Sequence, residues 1–133
     1  MIPKFRAWDK ELQTMLDVSL IDFKKSVLVG EHWKFGETNF MSFDDIKLMQ
    51  STGLFDKNGT EIFEGDVVVT NGRRRQVITF GTQEVEEDFG SVRIYKGFNL
   101  YLGGGYPNAV MSTFEVIGNI YENPELMEVS DDQ

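Results

Sequence analysis

The stretch that decides the fold is Leu54-Phe55-Asp56-Lys57-Asn58-Gly59-Thr60-Glu61-Ile62-Phe63-Glu64-Gly65-Asp66-Val67-Val68-Val69. Asn58-Gly59 separates two short apolar runs, and both residues tolerate positive φ, so the spacing predicts a tight hairpin reversal. Past Gly65-Asp66 the Val-rich run reaches Asn71-Gly72 and a charged tip, Arg73-Arg74-Arg75, and then returns as Val77-Ile78. That is a second hairpin. Residues 53–80 should therefore reverse twice, near Asn58-Gly59 and near residues 72–74, with Val67 and Val69 on one face of their strand and Val68 on the other.

On the C-terminal side, Gln76-Val77-Ile78-Thr79-Phe80, Val92-Arg93-Ile94-Tyr95 and Val116-Ile117-Gly118-Asn119-Ile120-Tyr121 are β-branched or aromatic runs bounded by Gly, Asn and Asp, and read as strands. On the N-terminal side, apolar residues alternate over residues 4–29 and predict further strands. Residues 30–38, 83–90 and 102–107 read as loops. Helix has two short candidates. Ser42-Phe43-Asp44-Asp45-Ile46-Lys47-Leu48-Met49 has Ser42 as N-cap, with strand the rival reading for residues 46–52. Pro124-Glu125-Leu126-Met127-Glu128 follows Asn123, an arrangement that suits a helix start.

A Gly-Asp step into a Val-rich strand, a polar loop and a returning strand is a pattern of small bent SH3-like barrels. The expected fold is mainly β: a small SH3-like bent β-barrel with extra N-terminal strands and little helix. Residues 1–127 are expected to form a single domain, with Val116, Ile117, Ile120 and Tyr121 packed against its core and a bulge at Gly118-Asn119. Residues 128–133 are expected to be a mobile acidic tail, because Val129 is their one apolar residue.

The 133 residues are 41% hydrophobic and include 11 Phe, enough for one core. No apolar run approaches the roughly 20 residues of a membrane helix. The first residues, Met1-Ile2-Pro3-Lys4-Phe5-Arg6-Ala7-Trp8-Asp9, place charge where a signal peptide would be apolar, so a cytoplasmic location is expected. With no Cys the chain forms no disulfide, Cys-ligated zinc site or thiolate nucleophile. A single His, His32, excludes any site needing two, and beside Trp33 it reads as a packing or surface residue.

Gly103-Gly104-Gly105 resembles a phosphate loop only in composition: no Lys-Ser or Lys-Thr follows it, and no helical pattern begins there. The acidic clusters Asp44-Asp45, Glu86-Glu87-Asp88 and Glu64 with Asp66 read as solvated loops or turn chemistry rather than metal ligands. The net charge of −9 opposes a phosphate backbone, so protein partners are favoured over nucleic acid. A nucleic-acid reading would need the Arg73-Arg74-Arg75 tip beside exposed aromatics such as Trp33 or Tyr95.

Three blocks resemble the YopX family. They are Lys4-Phe5-Arg6-Ala7-Trp8-Asp9, the run from Leu48-Met49-Gln50-Ser51-Thr52-Gly53 through Asp56-Lys57-Asn58-Gly59 to Gly65-Asp66-Val67-Val68, and Glu115-Val116-Ile117-Gly118-Asn119-Ile120-Tyr121-Glu122-Asn123-Pro124-Glu125-Leu126. The resemblance implies a phage-encoded or prophage-encoded protein with an SH3-type β core and no catalytic residues to carry over. Little resembles the family over residues 75–114. The matched residues mostly specify fold; Arg6, Trp8 and Asp9 are exceptions, since a Trp flanked by charges suits either a structural anchor or a contact surface.

The expected function is therefore a non-enzymatic binding or assembly module without cofactors or catalytic residues. A protein partner or self-association is expected, and no membrane. Arg6, Trp8, Asp9, Arg73, Arg74 and Arg75 are its candidate contact residues. The alternatives are a nucleic-acid-binding protein using the arginine hairpin, or an acidic decoy of a host DNA-binding protein.

Overall fold

Eleven strands follow one another along the residues that the computed structural model describes, namely 4–70, 74–86, 88–100 and 113–127. The mainly β expectation holds. The chain divides into two compact units, Met1–Ser51 and Thr52–Gln133, and the boundary falls inside one strand.

In the first unit, β1 (Phe5–Asp9), β2 (Thr14–Asp22), β3 (Val27–His32) and β4 (Thr38–Ser42) pair antiparallel in sequence order, and β1 also pairs with the start of β5 (Ile46–Phe55). The alternation of apolar residues over 4–29 thus becomes β1 to β3. One face carries Ala7, Leu16, Leu28 and Ile46, which form the core cluster with Met41, Phe43 and Leu48 packed on it. Between β4 and β5 the chain makes a single 3-10 turn, Phe43–Asp45, capped by the Ser42 hydroxyl accepting the Asp44 N–H. Strand is the correct reading beyond it, because Ile46, Leu48 and Gln50 find partners on β1.

In the second unit, the end of β5 pairs with β6 (Glu61–Phe63) around the first predicted reversal. There Asp56 N–H bonds Thr60 O at 2.8 Å, and Gly59 has φ of 84°. Asn58 is not left-handed: the Asp56 carboxylate accepts the Asn58 and Thr60 N–H groups and stabilises a turn in which Gly59 alone takes positive φ. Strand β7 (Asp66–Thr70) lies between β8 (Arg74–Val77) and β11 (Phe114–Asn119). Thr70 pairs with Arg74 across the second reversal, whose tip, residues 71–73, lies outside the described residues.

Residues 76–80 are not one strand, since β8 stops at Val77 and β9 (Phe80–Glu86) begins after a break. The Ile78 N–H bonds Asp66 O, and Asn99 ties Val77 and Thr79 together through its amide, so the chain turns there. Residues 83–86 are strand rather than loop: β9 pairs over its full length with β10 (Val92–Phe98). Ile62, Val68, Ile78, Leu100 and Phe114 form the core of this unit. Val68 faces that core, and Val67 is equally buried on the other side of its strand.

Ile117 is the extra residue of a bulge between Val116 and Gly118, close to the expected place. Val116, Ile117, Ile120 and Tyr121 are only half-buried; Phe114 is the fully buried residue of β11. The C-terminal helix candidate is a 3-10 turn, Pro124–Met127. The expected barrel is corrected to open sheets: among the described residues no strand pairing closes a ring. The tail 128–133 and Gly103-Gly104-Gly105 lie outside the described residues.

Candidate functional site

The β1–β2 turn begins at Asp9, whose Oδ1 accepts the N–H groups of Glu11 and Leu12, each at 3.0 Å. This is the local side-chain-to-backbone bonding that Asp favours, and it aims Oδ2 away from the turn. Asp9 and His32 share the core-facing side of the sheet, because Ala7 pairs with Leu16 and Leu16 with His32. His32 Nε2 meets Asp9 Oδ2 at 2.9 Å, and Asn39 Nδ2 meets His32 Nδ1 at 3.0 Å.

The two ring nitrogens of His32 thus face the Asp9 carboxylate on one side and the Asn39 amide on the other. Burial alone would raise the Asp9 carboxyl; the Leu12 N–H, the His32 ring and the Glu11 N–H outweigh it and leave the group below its ordinary value. Both His32 nitrogens are engaged and its side chain is 1% exposed, so the ring braces β1, β3 and β4 against one another. Phe35 packs edge-on against it at 6.0 Å. Asp9, His32 and Asn39 are 23 and 7 residues apart in sequence, and only the strand register brings them together.

Arg6, Trp8 and Asp9 were candidate contact residues; all three are buried, at 4%, 6% and 2% exposure. Ala7 and Asp9 point to one face of β1, Arg6 and Trp8 to the other, and both faces are covered. Trp8 lies opposite Met15 and Lys47, and Arg6 opposite Asp17 and Met49. Trp33, half exposed, donates its indole N–H to Asp17 at 2.8 Å.

Of the arginine tip, Arg73 lies outside the described residues and Arg74 is exposed. Arg75 Nη1 donates to Leu126 O at 2.7 Å, tying β8 to the C-terminal 3-10 turn. Tyr95 is half-buried and donates its hydroxyl to Phe98 O. Among the described residues no three His, Asp or Glu side chains gather as a metal-holding group, and no helix is long and apolar enough to cross a membrane.

Exposed apolar side chains gather on two pieces of sheet. On the first unit, Leu20, Val29 and Phe40 are cross-strand neighbours on β2, β3 and β4, with Leu20 55% and Phe40 71% exposed. On the second, the β9–β10 ribbon shows Val92 and Ile94, 53% and 65% exposed, with Phe89 fully exposed at its tip. Sequence reasoning missed both groups, since their exposure depends on which face of each sheet is left uncovered.

These features define a small protein of open antiparallel sheets in two units, with its Asp9, His32 and Asn39 cluster spent on bracing and apolar side chains exposed on two sheet faces. The YopX protein family matches residues 4–128, and the chain belongs to that family. The crystal structure of protein EF1440 from Enterococcus faecalis is similar, with 32% sequence identity, a TM-score of 0.58, and coverage of 96% of this chain and 99% of that one. A search of curated proteins finds no match.

Proposed function

We propose that the chain is a non-enzymatic protein-binding or assembly module acting in the bacterial cytoplasm in a phage or prophage setting, which membership of the YopX family supports. The observation that carries the reading is the β9–β10 ribbon, whose strands pair only with each other among the described residues. Val92 and Ile94 share one face, and Glu86 and Glu84 stand directly opposite them on β9. An apolar face edged with carboxylates suits a protein surface that is apolar and rimmed by Lys or Arg. It does not suit a phosphate backbone, and Arg75 is already committed to Leu126. The second unit, with β7 flanked by β8 and by the last strand β11, supports an SH3-like description short of closure.

The test is capture of bacterial proteins on the immobilised full chain, compared with Ile94→Lys. A partner retained by the wild type and lost by the variant supports the reading; substrate- or metal-dependent turnover by the purified chain overturns it.

A further inference from the structure

Strand β4 ends the sheet of the first unit, and no strand among the described residues pairs with its outer edge. The phase of its ladder with β3 is fixed at both ends, by His32 N–H to Glu37 O and Phe43 N–H to Ser26 O, each at 2.9 Å. With Val27 opposite Ser42 and Glu31 opposite Thr38, this phase turns the backbone groups of Asn39 and Met41 toward β3. The N–H and C=O of Thr38 and Phe40, and the N–H of Ser42, point outward.

The strand reads Thr38-Asn39-Phe40-Met41-Ser42, without a charge or a proline, and its register with β3 has no bulge. Charge, proline and bulges are among the devices by which edge strands ordinarily avoid pairing, and β4 has none of these three. In a chain of net charge −9, β4 itself brings no carboxylate against a second copy, and Glu37 and Asp44 lie outside its 5 residues.

We propose that β4 is the contact between two copies of this chain, joined antiparallel about a two-fold axis centred on Phe40; this deepens the assembly reading and rests on it. An antiparallel pairing of identical strands can centre on any residue, but only Phe40, the middle of the strand, sets all 5 residues of β4 against β4 of the second copy. Centring on Thr38 or Asn39 would carry the strand against the turn at residues 33–37, and centring on Met41 or Ser42 against the 3-10 turn Phe43–Asp45. Phe40 is the remaining choice. There Phe40 bonds Phe40 of the second copy, and the Ser42 N–H meets the Thr38 C=O of the other chain. The apolar row Leu20, Val29, Phe40 then continues through Phe40, Val29 and Leu20 of the second copy as one sheet. A ladder of 5 residues per strand is a small interface, so the association is concentration-dependent.

The test uses the full chain. In sedimentation over a concentration series, the wild type should rise toward twice the monomer mass, while Phe40→Lys stays monomeric with an unchanged melting temperature. The chain has no Cys, so Phe40→Cys can crosslink only between copies. Cα atoms in a hydrogen-bonded antiparallel pair are about 5.5 Å apart, within disulfide reach, and oxidation should be at least about tenfold faster than for exposed Leu12→Cys. A wild type monomeric throughout with equal crosslinking rates overturns the proposal. A dimer that survives Phe40→Lys also overturns it but leaves assembly standing, and turnover by a β4-linked dimer would remove the non-enzymatic reading while keeping this one.

Discussion

Asp56 holds Val116 across 60 residues of sequence: its Oδ2 accepts the Val116 N–H at 2.8 Å, while its Oδ1 accepts the N–H groups of Asn58 and Thr60. One buried carboxylate thus closes the first hairpin and positions the last strand. Asp56→Ala leaves three backbone donors without that acceptor and should cost about 2–4 kcal/mol in urea unfolding, with Asp56→Asn costing less.

The Asp9 carboxyl is held below its ordinary 3.8 in the folded chain, as burial, which raises it, is outweighed by the Leu12 N–H, the His32 ring and the Glu11 N–H. Unfolding restores the ordinary value, so this carboxylate contributes stability above it and loses that contribution as pH falls through the lower, folded value. Denaturant midpoints should show wild type and Asp9→Asn furthest apart near neutral pH and converging below about pH 4. A gap that stays constant down to acid would mean that the charge of Asp9 contributes nothing.

A Cβ on Gly118 would lie 2.5 Å from Asn123 Oδ1 and 2.7 Å from Leu126 Cδ1. The Asn123 oxygen is already an acceptor for the Asn119 N–H, so it cannot move aside without losing that bond. Gly118→Ala should cost about 1–3 kcal/mol. At Gly97 the new atom meets only the Tyr95 ring, at 3.4 Å, and thermal melting of Gly97→Ala should be close to wild type.

Phe114 is fully buried in the core of the second unit, whereas Ile117 is half-buried in the bulge. Phe114→Ala should cost about 3–5 kcal/mol, and Ile117→Ala about 1 kcal/mol. Equal losses in chemical denaturation would place the bulge inside the core after all.

The hairpins around Asn58-Gly59 and Arg74 were legible because turn chemistry and β-branched runs coincide there. Residues 83–86 were not: Gln83, Glu84 and Glu86 have little strand propensity of their own, and their partners on β10 decide their conformation. Trp8 and Arg6 read as either anchor or surface, since alternation along β1 cannot reveal that both faces are covered. The Asp9, His32 and Asn39 cluster needs the register of four strands, which one sequence does not contain.

The boundary between the two units falls between Ser51 and Thr52, within β5, whose residues pair with β1 on one side of it and with β6 on the other. For heredity this makes the join a poor crossover point. Two relatives exchanging genes there would each inherit a strand whose halves had been selected against different neighbours, and a slip of one residue would send every later side chain to the wrong face. Chimaeras that remain folded should instead have their junctions in turns such as residues 56–60, leaving β5 to be inherited whole.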